Sequence, residues 1–230
     1  MDTDYQQALN DAGPIPDLQG TLRAHNVKLP HEAQQARGVR VLGRMIRSLV
    51  FTTDIAIIRN CDADAVFAVY PFTPQQVISD AIIKASYIPV FCGVGGGTTQ
   101  GLRTVSLAKD VEMQGAMGVV LNAPISNPNM LAVSMAIDIP VVATVTRMDT
   151  DIRARLDAGA SILNVACADR TADIVRKIRE GFPDVPIIAS GGKTNETISR
   201  TIEAGANAIT YTPPSTQELF KQIMAGYRDE

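Results

Sequence analysis

Residues 185–192 read Val-Pro-Ile-Ile-Ala-Ser-Gly-Gly, a short β-branched run that begins at a proline and ends in two glycines. The same opening, an apolar residue followed by Pro and a second apolar residue, stands at 88–90 and at 139–141. Proline is tolerated at the first residue of a strand because its missing N–H need not join the ladder. The repeated phrase therefore predicts the start of three strands.

A second phrase alternates with the first. Gly-Ala pairs at 115–116, 159–160 and 205–206, with a weaker Asp62-Ala63 version, each precede another short apolar run. Glycine at such a position is typical of the left-handed residue that ends a helix, which places a helix end directly before the next strand. Two alternating phrases of this kind predict four copies of a βαβα unit.

Counting the runs gives eight strands with a helical segment in each gap. The predicted strands are Leu49–Thr52, Ala65–Tyr70, Pro89–Gly93, Gly118–Asn122, Pro140–Val145, Ile162–Ala166, Pro186–Ser190 and Asn207–Thr212. Helical periodicity is clearest at Pro74–Ala85 and Thr194–Ala204, and a helix in every connection predicts parallel strands. This α/β repeat favours a (β/α)8 barrel of the TIM type. The alternative is a doubly wound sheet, but the Gly-rich segment after strand three does not follow the first strand as a dinucleotide fingerprint would.

The N-terminal residues do not join the repeat. Residues 1–30 are expected to form an arm, and His31–Arg47 an extra helix that caps the bottom of a single barrel domain spanning 31–230. Such an arm can also contact a partner, which is the less favoured interpretation.

Composition excludes several classes of protein. The 230 residues are 46% hydrophobic and 20% charged, as in a soluble globular chain. The net charge is −3 with scattered basic residues, which argues against nucleic-acid binding, and neither a leader pattern nor a membrane span is visible. Three cysteines, an odd number, predict a reduced, cytoplasmic setting. His25 and His31 are the two histidines, so histidine chemistry is absent from most of the chain.

Active sites in barrels of this type lie where the strands end. We expect acid–base chemistry from Asp54, Asp169 and Lys193, and substrate binding from Gly95, Gly96, Gly97, Asn122, Arg147, Asn164, Gly191, Gly192 and Tyr211. In this scheme the Gly95–Gly97 loop offers backbone N–H groups to an oxyanion.

Each of these residues also has a structural interpretation. Asp54 is equally well placed to cap the following helix. Lys193 fits an ordinary surface lysine, Arg147 fits a partner of Asp149, and the Gly-rich loop fits a tight turn. Cys92 and Cys167 are expected to be small buried hydrophobic residues rather than nucleophiles.

The segments 189–196 and 203–210 resemble the strand-seven and strand-eight region of phosphate-binding (β/α)8 barrels, which include sugar-phosphate aldolases, epimerases and barrels of the tryptophan and thiamine pathways. The resemblance implies that Gly191 and Gly192 present N–H groups to a phosphate, assisted by a helix N-terminus after strand eight. Tyr211-Thr212-Pro213-Pro214 departs from that pattern because proline donates no N–H, which leaves Ser215 and Thr216 for this role. The segments 92–97 and 209–214 also resemble a set of bacterial barrels that carry the general name hydrolase.

These observations predict an enzyme that acts on a small phosphorylated or carboxylated metabolite, either a lyase or aldolase or an isomerase. A hydrolase and a non-catalytic metabolite-sensing barrel that contacts a partner through residues 1–47 are the alternatives. No cofactor and no metal site are expected from motifs, although a Mg²⁺ ion held by Asp54 and water would leave none. The sequence does not distinguish a monomer from a homo-oligomer.

Overall fold

A closed barrel of eight parallel strands forms the centre of the protein. The structure is a computed structural model, and it describes residues 27–229. We number the barrel strands β1 (Ser48–Phe51), β2 (Ala65–Ala68), β3 (Val90–Gly95), β4 (Gly118–Leu121), β5 (Val141–Val145), β6 (Ile162–Val165), β7 (Ile187–Ser190) and β8 (Ala208–Tyr211). Consecutive strands are neighbours, and β8 closes the barrel by pairing with β1 through Tyr211 and Val50. All eight predicted strands are confirmed, with ends that differ by at most two residues.

A helix follows each strand. The helices are α1 (Ile55–Arg59), α2 (Gln76–Ala85), α3 (Leu102–Met113), α4 (Asn127–Ser134), α5 (Ile152–Asp157), α6 (Thr171–Gly181), α7 (Asn195–Glu203) and α8 (Thr216–Asp229). Their starts have local causes: Thr194 caps α7 in a capping box with Thr197, and Ser126 caps α4 by accepting the N–H of Asn129. The predicted (β/α)8 barrel is therefore confirmed.

Apolar side chains fill two layers, one inside the barrel and one between barrel and helices. Because side chains alternate along a strand, each strand contributes to both layers. The inner layer contains Leu49, Phe67, Phe91, Val120, Val142, Ile162, Ile188 and Ala208. The inward-facing residue two positions further along each strand then lies at the mouth of the barrel.

The N-terminal segment differs from the prediction. A helix over His31–Arg47 is wrong: a short 3-10 helix at His31–Gln35 is followed by a hairpin with strands Val39–Val41 and Arg44–Ile46. The hairpin turns at Leu42 and Gly43, both with positive φ (44° and 83°), which is the backbone that a two-residue primed turn requires.

This hairpin closes the bottom of the barrel. Val39, Val41 and Ile46 are buried in the inner apolar layer. The capping role expected for this segment is thus fulfilled by strands rather than a helix. The predicted arm lies almost entirely outside the described residues, so the division at residue 30 stays a prediction. Among residues 27–229, no helix has the length and apolar character needed to span a membrane.

Candidate functional site

The mouth of the barrel has two chemically different halves. Side chains on the same face of a strand are two residues apart. Two residues beyond the inner-layer residues of β1 to β3 stand Phe51, Val69 and Gly93, at the ends of these strands. The same step places polar side chains at the ends of β4 to β8, and we call this set the polar crescent: Asn122, Thr144, Asn164, Ser190 and Thr210.

A hydrogen-bonded chain links three of the five residues of the polar crescent. The Asn164 Nδ2 donates to Thr144 Oγ1 at 3.2 Å, and Thr144 Oγ1 donates to Asn122 Oδ1 at 3.3 Å. Asn164 is 5% exposed and Thr210 is 7% exposed. Within the described residues, neither Asn164 Oδ1 nor Thr210 Oγ1 has a hydrogen-bond partner. A buried polar atom without a partner costs about 1–3 kcal/mol, so these two oxygens favour a polar ligand in the mouth.

Asp54, one of the predicted acid–base residues, caps α1. Its Oδ1 accepts the N–H groups of Ala56 and Ile57, at 2.8 and 3.3 Å. Its Oδ2 accepts a hydrogen bond from the Thr216 hydroxyl at the start of α8. Both carboxylate oxygens therefore have structural partners, and the capping interpretation is the one that the structure supports.

The other two predicted acid–base residues lie on one cavity. Asp169 and Lys193 line a cavity of about 350 Å³ beyond the ends of β6 and β7, together with Gly191 and Gly192. Within the described chain, neither charged side chain forms an ion pair. The Gly191 N–H donates to the Thr210 carbonyl at 3.3 Å, which holds this loop against β8.

Two amides of the predicted oxyanion-binding loop, those of Gly96 and Gly97, have acceptors within the chain. The Gly96 N–H donates to the Thr99 carbonyl at 2.9 Å, and the Gly97 N–H donates to the Pro124 carbonyl at 3.0 Å. Gly96 has φ +109°, and a Cβ there would lie 2.2 Å from the Asn122 carbonyl oxygen. Position 96 therefore requires glycine, because the backbone of Asn122 comes so close. The Gly96 and Gly97 amides are not free to bind an anion.

The hydrogen-bond donors of Ser215, just before α8, are also bound to another side chain of the protein. The Ser215 N–H and hydroxyl both donate to Glu218 Oε2, at 2.8 and 2.7 Å. These hydrogen bonds lower the pKa of the Glu218 carboxyl below its ordinary value. The position expected for a phosphate after strand eight thus already faces a carboxylate.

The remaining predicted residues have mainly structural contacts. Arg147 pairs with Asp149 at 2.6 Å on the surface. Tyr211 packs against the outer apolar layer and lines a cavity of about 600 Å³ beside Lys193. Cys92 and Cys167 are buried, as expected, and burial raises the pKa of the Cys92 thiol to about 12 and also raises that of Cys167.

Sequence reasoning finds Asn122 and Asn164 but misses Thr210. The signal is present in the alternation, since Thr210 lies two residues beyond the inward-facing Ala208. Among the described residues, no group of three or more His, Cys, Asp or Glu side chains could hold a metal ion.

Comparison with known proteins supports the fold. No protein-family model matches the chain, and no curated protein is similar to it. Among solved structures, a phosphonomutase candidate from Burkholderia cenocepacia J2315 has a TM-score of 0.63 and 17% identity, covering 86% of this chain and 98% of the other. Phosphonopyruvate hydrolase in complex with oxalate and Mg²⁺ has a TM-score of 0.58 and 13% identity, covering 79% of each chain. A 2,3-dimethylmalate lyase of the PEP mutase/isocitrate lyase superfamily has a TM-score of 0.59 and 14% identity, also covering 79% of each chain. At these identities the likeness concerns the barrel fold.

Proposed function

We propose that the protein is a lyase-type enzyme that acts on a small hydroxylated carboxylate bound in the mouth of the barrel. The observation that carries the proposal is the pair of buried, unpartnered oxygens, Asn164 Oδ1 and Thr210 Oγ1. An amide oxygen accepts hydrogen bonds, so the ligand needs a donor there, and a hydroxyl group supplies one. Similar folds occur in proteins described as acting on 2,3-dimethylmalate and binding oxalate, which are also small carboxylates.

Lys193 and Asp169 have complementary roles in this proposal. The Lys193 ammonium pairs with the substrate carboxylate at the edge of the polar crescent. Asp169 accepts the proton of the substrate hydroxyl as the adjacent carbon–carbon bond breaks, and then returns that proton to the carbon that keeps the bonding electrons. Asn164 and Asn122, linked through Thr144, orient the substrate oxygen.

A phosphate ester suits this site less well than a carboxylate. The Gly96 and Gly97 amides are engaged with carbonyl groups, and the Ser215 N–H already binds Glu218. A second anion at the start of α8 would meet that carboxylate and be repelled.

Magnesium, which the described phosphonopyruvate hydrolase complex contains, does not fit the residues of this mouth. Mg²⁺ in proteins usually needs one or two carboxylates among its oxygen ligands. The polar crescent offers amide and hydroxyl groups, and both oxygens of Asp54 have other partners. We therefore assign no step to a metal ion.

A metabolite-sensing barrel is the second candidate, and one observation favours it. Of the ionisable residues predicted for catalysis, Asp54 is a helix cap, which leaves only Asp169 and Lys193 for acid–base chemistry. A sensor would bind the same ligands without converting them.

The first experiment is a thermal-shift screen with 2-hydroxy and 2-keto carboxylates, sugar phosphates and inorganic phosphate. A ligand at a hundred times its Kd should stabilise the fold by about 2.7 kcal/mol. We expect hydroxy carboxylates to raise Tm and Lys193→Met to weaken that effect, whereas Lys109→Met, a change at an exposed lysine on α3, should not. NMR of each bound compound over time then separates turnover from binding alone. Equal stabilisation by inorganic phosphate, or an undiminished shift in both Asn164→Ala and Lys193→Met, would contradict the proposal.

A further inference from the structure

We propose that the cavity at the ends of β2 to β4 is an uncharged subsite whose apolar wall takes a hydrocarbon group of the ligand. This inference rests on the proposed function and adds the substrate class: a hydroxy carboxylate with a branched alkyl or phenyl substituent. The cavity has a volume of about 310 Å³, at the lower end of the range for small-molecule sites. We call it the proline pocket, after Pro71 and Pro74 in its wall.

The proline pocket is uncharged. Its walls are formed by Val69, Tyr70, Pro71, Phe72, Pro74, Gly93, Gly95, Gly96, Gly97, Thr98, Thr99, Asn122 and Ala123, none of which carries a charge. Two of its backbone donors, the Gly96 and Gly97 amides, are bound to the carbonyl groups of Thr99 and Pro124. A charged group placed here would lose hydration without meeting an opposite charge, whereas a hydrocarbon group has no charge to desolvate.

An exposed aromatic side chain stands on its wall. Phe72 is 74% exposed, although it lines a concave surface. The neighbouring prolines restrict the backbone on either side, and the Tyr70 hydroxyl is held by the N–H of Gln75 at 2.9 Å. A hydrocarbon group between these walls would remove apolar surface from water with little loss of side-chain freedom.

The proline pocket is continuous with the polar crescent. Asn122 lines the pocket and also accepts the hydrogen bond of Thr144, so it belongs to both. Val69 lines the pocket and packs against the inner apolar layer of the barrel. One ligand can therefore place oxygen atoms on the polar crescent and a hydrocarbon group against Phe72.

The test uses a series of 2-hydroxy acids that share the carboxylate and hydroxyl but differ in substituent: methyl, isobutyl and benzyl. Their Kd values are measured by calorimetry on the wild type, Phe72→Ser and Phe220→Ser. Phe220 is a matched control because it is exposed on α8, away from the pocket. We expect affinity to rise by about fourfold per buried methylene in the wild type and in Phe220→Ser. In Phe72→Ser most of this increase should be lost while the methyl compound binds as before.

Benzyl alcohol provides an independent measurement, since it has no carboxylate. Its titration should shift the NMR signals of the Val69 and Ala123 methyl groups in the wild type and less in Phe72→Ser. Affinity that does not depend on the substituent, or methyl signals that benzyl alcohol leaves unchanged, would overturn the hydrocarbon subsite while leaving the proposed function intact. Benzyl alcohol binding without binding of any hydroxy acid would instead support the subsite and contradict the proposed function.

Discussion

Thr210 and Thr104 are both buried threonines, but their hydroxyl groups have opposite surroundings. The Thr104 Oγ1 donates to the Thr99 carbonyl at 3.0 Å and helps to hold the Gly-rich loop. The Thr210 Oγ1 has no partner within residues 27–229. A buried hydroxyl without a partner lowers the stability of the fold, and such a group is expected where it is needed to bind a ligand.

Replacing each threonine by the isosteric valine should therefore give changes of different sign. Thr104→Val should lower the free energy of unfolding by about 1 kcal/mol, because a made hydrogen bond is lost. Thr210→Val should leave it unchanged or raise it by up to about 1 kcal/mol, because a buried group without a partner is removed. Urea unfolding measures both changes, and ligand-induced Tm shifts should disappear in Thr210→Val alone. A Thr210→Val protein that is as destabilised as Thr104→Val would show that its hydroxyl has a structural partner.

At the scale of single elements, the N-terminal hairpin contains an unfavourable turn residue. Leu42 adopts φ 44°, a left-handed conformation that costs most side chains energy, and it is exposed in a two-residue turn before Gly43. Asn-Gly is the preferred pair for such a turn.

We expect Leu42→Asn to raise the free energy of unfolding by about 1 kcal/mol, because asparagine tolerates the left-handed region better than leucine. Urea unfolding at equilibrium measures the change, with Leu102→Asn as the control, since Leu102 is also solvent-exposed but helical. A decrease in stability on Leu42→Asn would contradict the turn geometry described for the hairpin.

The hairpin also shows where sequence reasoning fails. The segment 39–46 alternates Val-Arg-Val and Arg-Met-Ile around Leu-Gly, which is a strand pattern, but its short length also allows a helical interpretation. The barrel strands are predictable because their proline and glycine markers act locally. The contacts within the candidate site are not predictable in this way. Asp54 accepts a hydrogen bond from Thr216, 162 positions away in the chain, and Gly96 lies against the backbone of Asn122. The roles of these residues therefore depend on how the barrel closes.

At the scale of the whole molecule, stability is unevenly distributed. Every barrel strand is hydrogen-bonded on both sides, and its residues are largely buried. In α8, by contrast, no residue whose burial is described is buried, and Phe220 and Tyr227 are exposed. Local opening requires little energy where few side chains are buried.

Native-state hydrogen exchange should therefore separate α8 from the barrel. We expect the amides of α8 to exchange on the order of 100-fold faster than those of β4 to β6, because they open without unfolding the barrel. Exchange followed by NMR at several urea concentrations measures this difference. Equal protection in α8 and β8 would mean that the helix and the barrel unfold as one unit.

The two halves of the mouth are encoded by separate parts of the chain. Apart from Ala123, the apolar side chains that line it come from residues 51–74, and the polar crescent comes from residues 122–210. A recombination crossover within α3 would therefore exchange most of the proposed hydrocarbon-binding half between two related barrels and keep the polar crescent. Selectivity for the ligand's substituent and binding of its polar group would in this way diversify independently, by exchange of gene segments rather than by scattered point mutations.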